Sequence, residues 1–429
     1  YRDAQNLFLT ERQVRIAAKA PFDDETYGNL QSNLGQTYMH LGSYDSARVH
    51  VDSALAIALN VFGRTHSSYA NRLVNKGMVF FRQKNANLDS AEIYARQELQ
   101  ILRNAGDSTF YFRSNALNTL GAVLREKGRY DEAVLLFDEA YQLSKAKYGE
   151  TNLITAIMLG NKAVTIFENG GYLEAEMLLG RVIRYFEESN FTAHPVYHKI
   201  LTNLSMTKGM LGKYDEATRL QEKAGRFPRS IGTVDSAEYF SARALVLQLT
   251  GNEAEAVDMF RKSAKMFENS EKKNFSTYLK VLSNLAVIYN ALGNYEESAA
   301  LLDKSVQVAR QHWQKSNQQY AVLLHNTANN YFDLGRREEA EKLLTEAQTI
   351  SNAADNENSI LANIYYTAGY FKYQDGQFKH AKKLYAQSRR IWEKTVAPEN
   401  INHCKLLVSM AVLEYKTGHP RKAEKLFNR

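Results

Sequence analysis

Cysteine is nearly absent from the chain. Cys404 is the only one in 429 residues, which excludes an internal disulfide framework and a cysteine-based zinc knuckle and fits a reducing, cytoplasmic setting. Long apolar runs are also missing: none approaches the roughly 18 residues that a bilayer-crossing helix needs, and the first residues show no basic-apolar-small leader pattern. No Gly-x-x-x-x-Gly-Lys-Ser/Thr, His-Glu-x-x-His or Gly-x-Ser-x-Gly occurs, so a P-loop, a zinc-protease helix and a nucleophile elbow are excluded. His403 and Cys404 are adjacent, but neighbours on a helix point about 100° apart and cannot share a proton face to face. The sequence therefore assigns no catalytic residue, no metal ligand and no cofactor.

An excess of one sign of charge is missing except at one end. The net charge is +7, yet the segment 379–429 holds twelve Lys and Arg against four Asp and Glu, which leaves residues 1–378 at −1. Lys379, Lys382, Lys383, Arg389 and Arg390 fall mainly on one helix and read first as a solvated face, with an acidic partner as the sharper alternative. No base-stacking or groove-reading motif accompanies these charges, so no nucleic-acid partner is expected.

What the chain does contain is a repeat. A small residue recurs at Gly35, Gly77, Gly121, Ala163, Ser205, Ala244, Ala286, Ala328, Gly369 and Ala411, at intervals of 39 to 44 residues. A second small residue follows twelve positions later, at Ala47, Ala133, Ala175, Ala217, Ala256, Ser298, Ala340, Ala381 and Ala423, and fourteen positions later at Ala91. Gly in mid-helix costs about 1 kcal/mol relative to Ala, so glycine at the marker argues for two helices in close contact. Between the two small positions a turn is marked by Gly42, Gly128, Gly170, Gly212, Gly251, Gly293, Gly335, Gly376 and Gly418, where a helix ends in the left-handed conformation. Carboxylates such as Asp45, Asp131 and Asp215 then open the second helix, at the positive end of its dipole.

This order of small, aromatic, Gly-x-Tyr, small and apolar positions, seen in Asn33 to Ala47, resembles the tetratricopeptide repeat. The period of about 42 rather than 34 is similar to the longer variety found in kinesin light chains and many bacterial proteins. The resemblance implies an all-α, right-handed superhelical solenoid of about ten helix-turn-helix repeats spanning residues 1–429. Two intervals depart from it. The second repeat lacks the turn glycine and carries two extra residues, and the fifth interval is short and contains Gly225-Arg226-Phe227-Pro228, which reads first as a shortened loop in a continuous solenoid, with a change of curvature near 225–233 as the alternative. Tyr1 to Phe8 aligns with Tyr130 to Phe137, so the chain opens on a second helix. With neither end polar-capped, it is expected to be a portion of a longer protein.

Asparagine occupies the position two before the marker in six of ten repeats: Asn33, Asn75, Asn161, Asn203, Asn284 and Asn326. Stacked repeats would line these amides along the concave groove, where their donors and acceptors match the backbone of an extended peptide. In kinesin-light-chain-like repeats asparagines at this place line the cargo groove, and the resemblance implies the same peptide-binding role for these six. The alternative is that they tie adjacent first helices together. Beside them the groove is expected to carry Asn29, Asn71, Asn115, Lys199, Lys280, Asn363 and Lys405, with His325, Tyr366, Tyr370 and Tyr373 toward the C-terminal half.

The expected function is a non-catalytic scaffold holding a protein or peptide partner in the groove. The competing expectation is a sensor or regulatory arm of a larger enzyme, such as a caspase-like CHAT protease, whose catalytic domain lies outside this chain and adjoins it. A third is a solenoid that self-assembles through its ends.

Overall fold

In the computed structural model the described residues, 1–83, 87–105, 110–226, 233–270, 275–312, 318–352, 359–395 and 401–428, are all helix and connecting turn. The chain divides into two compact units, Tyr1–Tyr278 and Leu279–Arg429. The first holds α1 (Arg2–Ala17) and six helical hairpins. These are α2 (Glu25–Leu41) with α3 (Tyr44–Phe62), α4 (Ser67–Arg82) with α5 (Leu88–Asn104), α6 (Phe110–Glu126) with α7 (Tyr130–Tyr148), α8 (Leu153–Glu168) with α9 (Tyr172–Glu188), α10 (Pro195–Met210) with α11 (Tyr214–Gly225), and α12 (Thr233–Leu249) with α13 (Glu253–Asn269). The second holds most of α14 (Phe275–Ala291), then α15 (Tyr295–His312), α16 (Gln318–Asp333) with α17 (Arg337–Asn352), α18 (Ser359–Gln374) with α19 (Phe378–Thr395), and α20 (Ile401–Lys416) with α21 (Pro420–Phe427).

The turn chemistry follows from glycine. Gly42 caps α2 at φ 82°, its N–H donating to Met39 O (3.2 Å) while Ser43 N–H donates to Tyr38 O (2.9 Å), which closes the last turn. All nine turn glycines named above adopt positive φ. In the second hairpin, which lacks one, α4 ends at an extended Gln83 instead. Residues 227–232 of the shortened loop or bend at 225–233 lie outside those described.

The two small columns meet where the helices of a hairpin cross, and two hydroxyls prove the contact. Ser205 Oγ, at the marker, donates to Ala217 O (2.7 Å), and Ser298 Oγ, at the second small position, donates to the marker's Ala286 O (2.8 Å). A bulky side chain at either place would part the helices. In the first unit Phe137, Ala140, Leu178, Leu179, Val182 and Phe186 centre the core, and in the second Leu302, Leu324, Leu344 and Ile364 continue the same pattern, with Tyr385 and Trp392 beyond. Among the described residues no helix is long and apolar enough to cross a membrane.

Candidate peptide-binding face

The first helices of successive hairpins lie side by side, and polar side chains bridge them at one recurring offset. In the first unit Asn75 Nδ2 donates to Ser32 Oγ (2.9 Å), and Asn161 Nδ2 donates to Asn118 Oδ1 (2.7 Å). In the second, His325 Nε2 is 2.8 Å from Thr367 Oγ1 and Tyr366 Oη is 3.2 Å from Ser409 Oγ. Each bridge joins the residue three before one marker to the residue two before the next. Asn75 also accepts from Gln36 Nε2 (3.2 Å), and Arg72 donates to Asn29.

The six asparagines thus divide. Asn75 is buried and Asn161 half-buried, and the side chains of both bond to the preceding first helix. Asn203 has no such bridge because Gly160 occupies the position that would face it. Asn33 is exposed and Asn203 half-buried, and neither side chain makes a hydrogen bond among the described residues. Asn284 is half-buried, and Asn326 is exposed beside His325. Of the accompanying positions, Asn29 and Lys405 are exposed, Asn71, Asn115 and Asn363 half-buried, while Lys199 and Lys280 are exposed but already engaged.

Burial pushes the His325 imidazole down to about 4, so the ring is neutral at physiological pH and bridges Thr367 while Asn329 Nδ2 lies 3.4 Å away. An NMR titration is expected to show the His325 ring shifting at about pH 4, with a His325→Gln spectrum for assignment. A midpoint at the ordinary value near 6.5 would place the ring in water.

A second lane went unnoticed in the sequence. The residue just after the marker is apolar and half-buried in five of the six first helices of the first unit, at Met78, Ala122, Val164, Met206 and Leu245; in α2 it is the exposed Gln36. In the second unit the same position holds Val287, Asn329, Tyr370 and Val412, of which Val287 is 42% and Tyr370 37% exposed. Reading the column next to the marker, not only the asparagine column, would have found it. Among the described residues no group of three or more His, Cys, Asp or Glu is placed to hold a metal ion.

The tetratricopeptide-repeat profile matches residues 26–104, 112–165 and 277–353, and a second profile of the same repeat matches 199–224, together more than half of the chain. The chain belongs to the tetratricopeptide-repeat proteins. A mitochondrial tetratricopeptide repeat protein 19 homolog of Drosophila melanogaster is 29% identical over 123 residues, 28% of this chain and 33% of its own length, so the match spans about a third of that relative. Among solved structures, a Rap protein complexed with competence and sporulation factor superposes with a TM-score of 0.59 at 11% identity, over 86% of this chain and 99% of its own. Aspartyl phosphate phosphatase F of Bacillus subtilis gives 0.52 at 19%, over 66% and 71%. IFIT1 with Gppp-AAAA gives 0.51 at 14%, over 99% and 93%. At these identities the likeness is one of fold. The repeat family suggests a protein-interaction scaffold.

Proposed function

We propose that the first-helix face of the Tyr1–Tyr278 unit holds an extended peptide of a partner protein. The observation that carries the reading is the pairing of an unengaged amide, Asn203, with the apolar lane from Met78 to Leu245 along one set of helices, and a second unengaged amide, Asn33, on the hairpin before the lane begins. An extended chain leaves its own N–H and C=O groups unbonded, whereas a helix has consumed them, so side-chain amides recognise the former. The lane beside them takes up the peptide's apolar side chains, and methionine suits such a surface because its unbranched side chain adapts to varied partners. The Rap protein, complexed with competence and sporulation factor, offers a fold-level precedent for a ligand on this architecture.

The structure separates two classes of asparagine, and the test uses that separation. With peptides selected from a display library on the full chain, Asn33→Ala with Asn203→Ala is expected to weaken binding by about tenfold, one to two lost hydrogen bonds, with thermal unfolding unchanged. Asn75→Ala with Asn161→Ala is expected to lower stability by about 1–3 kcal/mol, because Ser32 and Asn118 lose their partners. Undiminished binding by a folded Asn33→Ala, Asn203→Ala protein would refute the groove reading.

A further inference from the structure

The second helices carry a charge pattern that reverses near the end of the chain. Every one of the eight from α3 to α17 places at least one carboxylate in its first turn, such as Asp45, Asp131, Glu296 or Glu338, where it complements the helix dipole. The last two, α19 and α21, have no acidic residue in the first turn. Lys379 with His380, and Arg421 with Lys422, stand at the equivalent positions. Cations there work against the dipole, so folding of these helices does not account for them.

Nor are the charges consumed within the protein. On earlier second helices several cations find carboxylates of the neighbouring repeat, as in Arg103 with Glu139, Lys223 with Glu187 and Arg310 with Glu346, and those without an ion pair, such as Lys147 and Arg184, stand singly. Lys379, Lys383, Arg421, Lys422 and Lys425 are all exposed, and none makes an ion pair among the described residues. The two helix starts belong to one surface, because Glu414 at the end of α20 receives Lys382 of α19 at 2.5 Å and lies 3.4 Å from His419, the N-cap of α21. Glu414 offsets Lys382 and Glu393 offsets Arg389, which leaves the five unpaired cations against one exposed carboxylate of α21, Glu424.

We infer that the outer face of α19 and α21 is a docking surface for a short acidic segment of a partner protein, distinct from the first-helix face. The field is bounded. In the preceding hairpin, α17 presents Glu338 and Glu339 in the equivalent first turn, with Glu338 exposed, so a long polyanion tracking along the second helices would run from cations into carboxylates. A duplex gains its affinity by neutralising many phosphates in a row, which this patch is too short to do. A segment of several Asp and Glu residues fits within it, and steering by the patch speeds the encounter.

The test is fluorescence anisotropy of a labelled eight-residue Asp/Glu peptide with the full chain at about 50 mM and 300 mM salt, beside a 20-base-pair duplex and phosphatidylserine vesicles. The patch variant is Lys379→Glu, Lys383→Glu, Lys422→Glu, Lys425→Glu, in which two of the changes restore first-turn carboxylates and so favour folding. The control is Lys147→Glu, Arg184→Glu, Arg219→Glu, Lys265→Glu, exposed positions with the same change of charge on other second helices. The acidic peptide is expected to bind at low salt, to weaken at high salt, and to weaken at least tenfold more in the patch variant than in the control. Equal loss in both variants, or no binding at low salt, overturns the docking surface. Tighter binding of the duplex or the vesicles than of the peptide, abolished by the patch variant, reassigns it to nucleic acid or lipid and overturns the inference as stated.

Discussion

Replacing Glu98 with methionine is expected to raise the stability of the first unit by about 1–3 kcal/mol at neutral pH, the range for a buried polar group left without a partner. Glu98 lies on α5 at 2% exposure, and its Oε2 has no hydrogen-bond partner. Allowing for the two extra residues of the second repeat, it occupies the column filled elsewhere by Ala54, Ala140, Ser263, Ala347 and Ser388, where a second helix crosses the start of its first helix. The hydroxyls of that column find carbonyls: Ser263 donates to Ala237 O and Ser388 to Ala362 O, each at 2.7 Å. Glu98 breaks the pattern, and burial lifts its carboxyl well above the usual carboxylate range. The sign of the pH effect follows. With the folded-state value raised above the unfolded value of about 4.3, the folded chain holds a proton that the unfolded chain has released, so stability falls as pH rises from there toward the folded value. Glu98→Gln isolates this effect, since it removes ionisation at nearly constant shape. Urea midpoints are expected to drop between pH 5 and pH 8 in the parent, and to drop less in the Gln variant. Parallel profiles would mean that water reaches the carboxylate.

Most of the fold was legible because it rests on backbone requirements that single residues announce. A left-handed helix end asks for glycine, and nine glycines stood where nine turns formed. A close crossing asks for small residues, and the Ser205 and Ser298 hydroxyls show the crossing at the paired columns. The site was harder to read. Whether an asparagine is free or engaged depends on the residue three before the marker of the preceding repeat: Ser32 and Asn118 engage Asn75 and Asn161, whereas Gly160 offers nothing to Asn203. A column read by itself cannot reveal that, because the bond is between columns and between repeats. Glu98 was hidden for a related reason, since the two-residue insertion shifts it out of the alanine column to which its position in space belongs.

Gly369→Ala is expected to destabilise the second unit by about 2 kcal/mol, although alanine is the better helix former. A Cβ on Gly369 would lie 2.5 Å from Cδ1 and 2.6 Å from Cε1 of Tyr385, a ring that is fully buried and cannot swing into solvent. Overpacking of a filled core costs about 1–3 kcal/mol, and a contact this short belongs at the upper end, from which the propensity gain of about 1 kcal/mol is subtracted. The repeats themselves supply the compensating change. Alanine at the marker stands sixteen positions before leucine in three hairpins, Ala163 with Leu179, Ala286 with Leu302 and Ala328 with Leu344, though before an aromatic in Ala244 with Phe260 and Ala411 with Phe427; at Gly121 and Gly369 the ring of Phe137 or Tyr385 lies in the space that the missing Cβ leaves. Tyr385→Leu alone removes packing and is expected to cost about 2–4 kcal/mol. Added to Gly369→Ala, it removes the clash, so the double variant is expected to be more stable than the sum of the singles by at least about 1 kcal/mol in a double-mutant cycle read by denaturant midpoints. Additive effects would show that ring and glycine do not compete for the same space, and that the small marker column answers to helix separation alone.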